Sequence, residues 1–166
     1  MNEAENVKLS IASHPKSLPV VRSAAERMAK MEGFSEQDAN ELALAIDEAL
    51  ANVIKHGYSG QPDKPIDITL SVLRSSTGDP GLCIVVRDNG RQVDPDTIQG
   101  RDLDDLRPGG LGVHIIKTVM DEVEYSCPPD GGMQLRMVKY VSRADDSSSE
   151  GERGTSQTDP KDGDHG

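Results

Sequence analysis

Arg107-Pro-Gly-Gly-Leu-Gly-Val113 sets three glycines, Gly109, Gly110 and Gly112, where an apolar helical pattern begins. Glycines weaken a helix start unless their backbone has a role there. Bare amides at a helix N-terminus form an anion site, and glycine lets a phosphate approach them closely. No Gly-Lys-Ser/Thr follows, so the run is not a Walker P-loop. The Gly-x-Gly-x-x-Gly spacing of a dinucleotide fingerprint is also absent.

Two shorter stretches upstream bear on the same site. Arg87-Asp-Asn-Gly90 ends the apolar run Leu82 to Val86. A carboxylate at that strand end, Asp88, can accept a hydrogen bond from an exocyclic amine, and Gly90 lets a flat ring approach the backbone. Alone, the same residues read as ordinary turn chemistry. Glu48-Ala-Leu-Ala-Asn52 lies on a helical pattern, where residues four apart are displaced by only about 40° around the axis. Glu48 and Asn52 therefore project side by side at the border of the apolar stripe Leu42, Ile46, Ala49 and Val53. A Glu beside a core can act as a base if burial raises its pKa. The amide oxygen of Asn52 is a hard ligand suited to Mg²⁺ held mainly by waters and phosphates. Alone, the pair reads as a solvated helix flank. In this order and spacing the three stretches point to an ATP site. His56 and Lys55 follow one turn beyond Asn52, where capping or solvation accounts for them as well as a ligand does.

The rest of the chain supplies a scaffold. At 166 residues it supports one domain with a single core. Its only aromatic residues are Phe34, Tyr58, Tyr125 and Tyr140, so that core is expected to be aliphatic. Val7, Leu9 and Ile11 alternate as a strand. Ser17 to Met31 reads as a helix with Val20, Val21, Ala24 and Met28 as its apolar members and Gly33 as its stop. Ser35-Glu-Gln-Asp38 resembles a capping box that opens the helix ending at Gly57. Ile66, Ile68, Leu70 and Val72 alternate in a second strand, and Leu82 to Val86 forms a third. Residues 91 to 108 show no periodicity. A helix over Leu111 to Met120 precedes strands around Val123 to Cys127 and Met133 to Val141, joined by Pro128-Pro-Asp-Gly-Gly132.

After Val141 the composition changes. Residues 142–166 have almost no apolar side chains, with three basic against seven acidic residues. Such a segment cannot bury enough surface to order itself, so the expected division is a domain over 1–141 and a disordered acidic tail over 142–166. The net charge of −11 argues against nucleic acid or an anionic membrane as the main partner. Cys83 and Cys127 show neither metal-ligand spacing nor a disulfide framework, and Cys83 reads as a small core residue. With no apolar run of spanning length and no signal-peptide pattern, a cytoplasmic location is expected.

Taken together, these residues resemble the GHKL, or Bergerat-fold, ATPases. Glu48 and Asn52 match that family's N-box, Asp88 and Gly90 its G1 box, and Gly109-Gly-Leu-Gly112, with Leu111 inside it, its G2 box. Within the family, Asp47-Glu-Ala-Leu-Ala-Asn-Val-Ile-Lys-His-Gly-Tyr58 and Gly109 to Ile116 are most similar to the anti-sigma-factor serine kinases. The resemblance implies a two-layer α/β sandwich, a mixed and mostly antiparallel sheet with helices on one face. It further implies ATP and Mg²⁺ as cofactors, with Glu48 as the general base and Asn52 as the metal ligand. Asp88 would hold the adenine amine, and the Gly109 to Gly112 amides would hold phosphate under a lid formed by residues 91–108. Its members phosphorylate a Ser or Thr of a STAS-domain anti-anti-sigma protein, alternatively sequester a sigma factor, and are usually homodimers. The usual second glycine of the G1 box is missing, since Arg91-Gln92 follow Gly90; the serine-kinase subgroup often lacks it. The other reading is a module that binds ATP without catalysis and sequesters its partner.

Overall fold

The computed structural model describes residues 6–98 and 110–142. Five strands, β1 (Asn6–Ala12), β2 (Pro65–Arg74), β3 (Pro80–Asp88), β4 (Glu122–Ser126) and β5 (Gln134–Tyr140), form one sheet in the order β1-β2-β3-β5-β4. Every pairing is antiparallel. Helices α1 (Leu18–Met31), α2 (Glu36–Asn52) and α3 (Leu111–Val119) complete the domain. α2 packs against both α1 and α3.

Strand alternation sets the layers. Ile66, Ile68 and Leu70 of β2 are buried, and their partners Ile11, Leu9 and Val7 on β1 share that face. On the opposite face, residues such as Lys8, Asp67, Thr69, Arg136 and Glu124 pair across the strands as a polar surface. β3 lies mid-sheet, and Leu82, Cys83, Ile84 and Val86 are all buried there. Cys83, expected in the core, lies on the other face of β3 beside Arg136, whereas Leu82, Ile84 and Val86 share a largely aliphatic core with Leu42, Ile46, Leu50 and Ile116. Each such side chain contributes roughly 1.5–3 kcal/mol on burial.

Helix boundaries follow local chemistry. α1 ends in a Schellman motif, with Phe34 N–H bonded to Ala29 O (3.1 Å), Gly33 N–H to Lys30 O (3.3 Å), and Gly33 at φ +87°. Its inward stripe is Val21, Ala25 and Ala29. Val20, expected among the apolar members, is 59 % exposed, because a residue one position from Val21 is turned about 100° away. Ser35 caps α2 by accepting the Asp38 N–H at 3.0 Å. The capping box is only half made: Asp38 takes the Ser35 hydroxyl at 2.8 Å, not the cap's backbone N–H. α2 does not run unchanged to Gly57. Val53–Gly57 is a π-helical turn, a widening found mostly at functional sites. Among the described residues no helix is long and apolar enough to cross a membrane. Of the expected lid, residues 99–108 lie outside the described residues, as do Gly109 and residues 143–166 of the tail.

Candidate functional site

The widened end of α2 opens a cavity of about 230 Å³ between that helix, the ends of β3 and β5, and the start of α3. Its walls are largely aliphatic, with Asn52, His56, Asp88, Arg91 and Tyr125 as the members with polar side chains. An apolar cavity with a few convergent polar groups is the usual form of a small-molecule site.

Glu48 and Asn52 meet the first turn of α3. A Cβ on Gly112 would lie 2.5 Å from Glu48 Oε2 and 3.5 Å from both side-chain polar atoms of Asn52. A side chain at this position would have to displace the Glu48 carboxylate. Gly110, at φ +92°, is the residue before the helix and lines the cavity. The structure therefore unites two stretches some sixty residues apart in sequence. Leu111 does not join them: it is 60 % exposed, so the Gly-rich turn presents backbone to the cavity and this side chain to solvent.

Asp88 closes the cavity from the sheet side. It is buried, and its Oδ1 accepts the Gly90 N–H at 2.7 Å. Burial pushes its carboxyl above the ordinary value, and the Gly90 and Met133 backbone offsets this only in part. No cation neutralises it at contact distance among the described ion pairs. A buried acceptor left in this state is poised for a ligand donor.

Gly90 has a packing reason of its own beside the ring approach that its sequence suggests. A Cβ there would lie 2.5 Å from Gly57 O, and Arg91 N–H donates to the same oxygen at 3.2 Å. Gly90 thus lets the β3 end pack on the last turn of the N-box helix.

Three residues that pattern reading passes over fix Asp88 in place. Tyr58, buried, donates its hydroxyl to Pro65 O (2.6 Å) and accepts the Asn89 N–H (2.7 Å). Arg87 bonds Asp88 O and reaches Asp130 at 2.9 Å. Gly132, at φ +69°, packs so closely on the Asp88 carbonyl that a Cβ would clash with it. The one sequence signal was the glycine pair after Pro128-Pro-Asp, which reads as a turn and nothing more.

A divalent cation finds hard oxygen donors in Asn52 and Glu48, but among the described residues no cluster of three His, Cys, Asp or Glu could hold a metal. That donor set suits Mg²⁺, which keeps waters and phosphate oxygens as most of its ligands.

Comparison with known proteins identifies the family. Residues 11–139 match the family model of the histidine kinase-like ATPase domain. The chain is 28 % identical over 146 residues to the serine-protein kinase RsbW of Listeria innocua, covering 83 % of this chain and 88 % of the relative. To the RsbW of Bacillus subtilis it is 25 % identical over 149 residues, covering 85 % and 89 %. Two solved structures share the fold. The SiaB–SiaC complex from Pseudomonas aeruginosa gives a TM-score of 0.58 at 14 % identity, covering 80 % of this chain and 88 % of that one. The RsbU and RsbW domains of a Mycobacterium tuberculosis protein give 0.56 at 16 % identity, covering 84 % of this chain and 33 % of that longer one. The chain belongs to the histidine kinase-like ATPase domain family, and its relatives include serine-protein kinases of the RsbW type.

Proposed function

We propose that the protein is an Mg-ATP-dependent protein serine/threonine kinase that acts on a STAS-domain partner and regulates transcription by partner switching. The observation that carries this reading is the contact of Glu48 and Asn52 with Gly112, a carboxylate and an amide against the glycine turn of α3. Asp88 accepts from the adenine amine at the far end of the cavity. The amides of Gly109 to Gly112 receive phosphate, as bare N–H groups at a helix start do. Glu48 takes the proton of the attacking serine or threonine hydroxyl. Asn52 holds Mg²⁺, which when bound neutralises phosphate charge. The names of the RsbW relatives support the kinase reading.

The phosphoacceptor partner, sigma-factor sequestration and a homodimer follow from the family resemblance. The acidic tail over 142–166 is proposed as a solvating extension, on composition alone. The competing reading is ATP-dependent sequestration without catalysis. The carboxylate of Glu48 favours the kinase, because a pure binder has no use for a base beside the transferred phosphate.

Incubation of the protein and a serine-bearing STAS partner with labelled ATP separates the two. Glu48→Gln should bind ATP nearly as the wild type does and lose phosphoryl transfer by roughly 10²–10⁴-fold, the usual effect of removing a general base. Retention of most of the rate would remove Glu48 from that role.

A further inference from the structure

Tyr125 carries the one buried side-chain polar atom without a hydrogen-bond partner among the described residues. An unsatisfied buried hydroxyl costs about 1–3 kcal/mol, so its persistence calls for an explanation. Its position supplies one. Tyr125 pairs with Leu135, Leu135 with Val86, and Tyr125, Leu135 and Val86 all line the cavity. Asp88 follows Val86 by two residues on β3, so Asp88 and Tyr125 rise from the same face of the sheet. β5 lies between their strands, which sets the two backbones about 10 Å apart across the sheet. Asp88 and Tyr125 both line the cavity, which spans the distance between them.

We propose that the Tyr125 hydroxyl reads the base, donating a hydrogen bond to a ring nitrogen of the purine whose exocyclic amine meets Asp88. This rests on the reading of the cavity as a nucleotide site. Asp88 as acceptor and Tyr125 as donor match adenine, which offers an amine beside unprotonated ring nitrogens. Guanine offers a carbonyl to the Asp88 carboxylate and is rejected there. The hydroxyl suits a donor, because burial pushes its pKa up to about 12 and it keeps its proton through the neutral range. Phenylalanine retains the ring against Leu135 and Val86 and removes only the orphaned oxygen.

The test is calorimetric titration of wild type and Tyr125→Phe with ATP and with 1-deaza-, 3-deaza- and 7-deaza-ATP, beside thermal melts of both proteins. Tyr125→Phe should melt no lower than wild type and bind ATP roughly 3- to 10-fold more weakly, the range of one net hydrogen bond. One deaza analogue should lose the same factor on the wild type and nothing further on the variant. Equal ATP affinities overturn the inference, as does a fall in melting temperature with unchanged affinity, which would make the hydroxyl structural. If wild type binds no ATP, the nucleotide reading falls and takes this one with it. If Asp88→Asn weakens ATP binding and Tyr125→Phe does not, only the base-reading role of Tyr125 is lost.

Discussion

Two aspartates, Asp38 and Asp88, are buried to nearly the same degree, 6 % and 4 % exposed, and they sit at opposite ends of the chemistry. Asp38, in the first turn of α2, is answered on every side. Ser35 and Ser142 donate to it, and Lys139 Nζ lies 3.7 Å away while also bonding Glu41 (3.0 Å) and Val119 O (2.8 Å). Burial works to raise its pKa, but these partners outweigh it and hold the carboxyl below its ordinary value. Asp88 has two backbone hydrogen bonds and the charge of Arg87 in its favour, with no cation at contact distance among the described ion pairs, and burial leaves its pKa raised. At similar exposure, Asp38 is a structural anchor, while Asp88, which lies deeper and has fewer partners, is an unspent acceptor. A carboxyl perturbed by burial at the wall of a cavity marks a candidate ligand site.

Removing the cation should have the largest effect on this contrast. Lys139→Met leaves Asp38 and Glu41 without their partner in a buried site, and loss of one member of such a pair typically costs about 3–5 kcal/mol. Urea unfolding should show that loss with ATP affinity little changed. A stability unchanged by this substitution would mean that the cluster is solvated and that the two aspartates do not differ as described.

Acid titration of stability sharpens the contrast through its sign. Asp38 has a folded pKa below its unfolded value, so its contribution is present above the unfolded value near 3.8 and is lost as pH falls through the folded one. Asp88 runs the other way. Its folded pKa is raised, so its contribution is present below about 3.8 and is lost as pH rises through the folded value. Asp38→Asn should therefore flatten the acid loss of stability, and Asp88→Asn should steepen it. At pH 7 the first lowers the melting temperature and the second leaves it level or raises it. Changes in slope of the same sign, relative to wild type, in the two variants would contradict the assignment.

The smallest effect is expected at the chain's end. Ser142 is the last described residue and donates to Asp38 Oδ1 at 3.0 Å. The compositional boundary falls before Ser142, but this bond assigns it to the folded domain. Deleting 143–166 should leave stability within about 0.5 kcal/mol, whereas deleting 142–166 should cost about 1 kcal/mol more. Calorimetric melts of the two truncations measure the difference.

Much of this was legible in the residues themselves. Alternation in Ile66, Ile68 and Leu70 and the punctuation at Gly33 and Ser35 are local signals, and they placed the strands and helices. The coincidence of Glu48 and Asn52 with Gly112 was legible as motif order. What stayed hidden was close backbone approach between distant segments. Gly90 against Gly57 and Gly132 against Asp88 are contacts that a single sequence encodes only as glycines, which turns use equally often. The Tyr58 bridge was hidden for a related reason, since its hydroxyl joins Pro65 and Asn89 through main-chain atoms that carry no sequence signature. The π-helical turn at Val53–Gly57 has no periodic pattern of its own in five residues. Val20 was misplaced because the stripe that α1 buries, Val21, Ala25 and Ala29, is narrow and Val20 lies about 100° off it.

If the unspent acceptor of Asp88 binds the base of ATP, removing its charge in Asp88→Asn weakens ATP binding. Asn keeps the size and retains one weaker acceptor, so the cavity and fold should persist by circular dichroism. A charge-assisted bond contributes on the order of 1.5–3 kcal/mol, which corresponds to roughly a 10- to 150-fold loss of ATP affinity. The lower end of that range is expected because the amide oxygen can still accept. Isothermal titration of ATP should show this loss in a protein whose melting temperature has not fallen. Equal ATP affinities in wild type and Asp88→Asn would contradict the claim and leave Asp88 as a turn residue beside an apolar cavity.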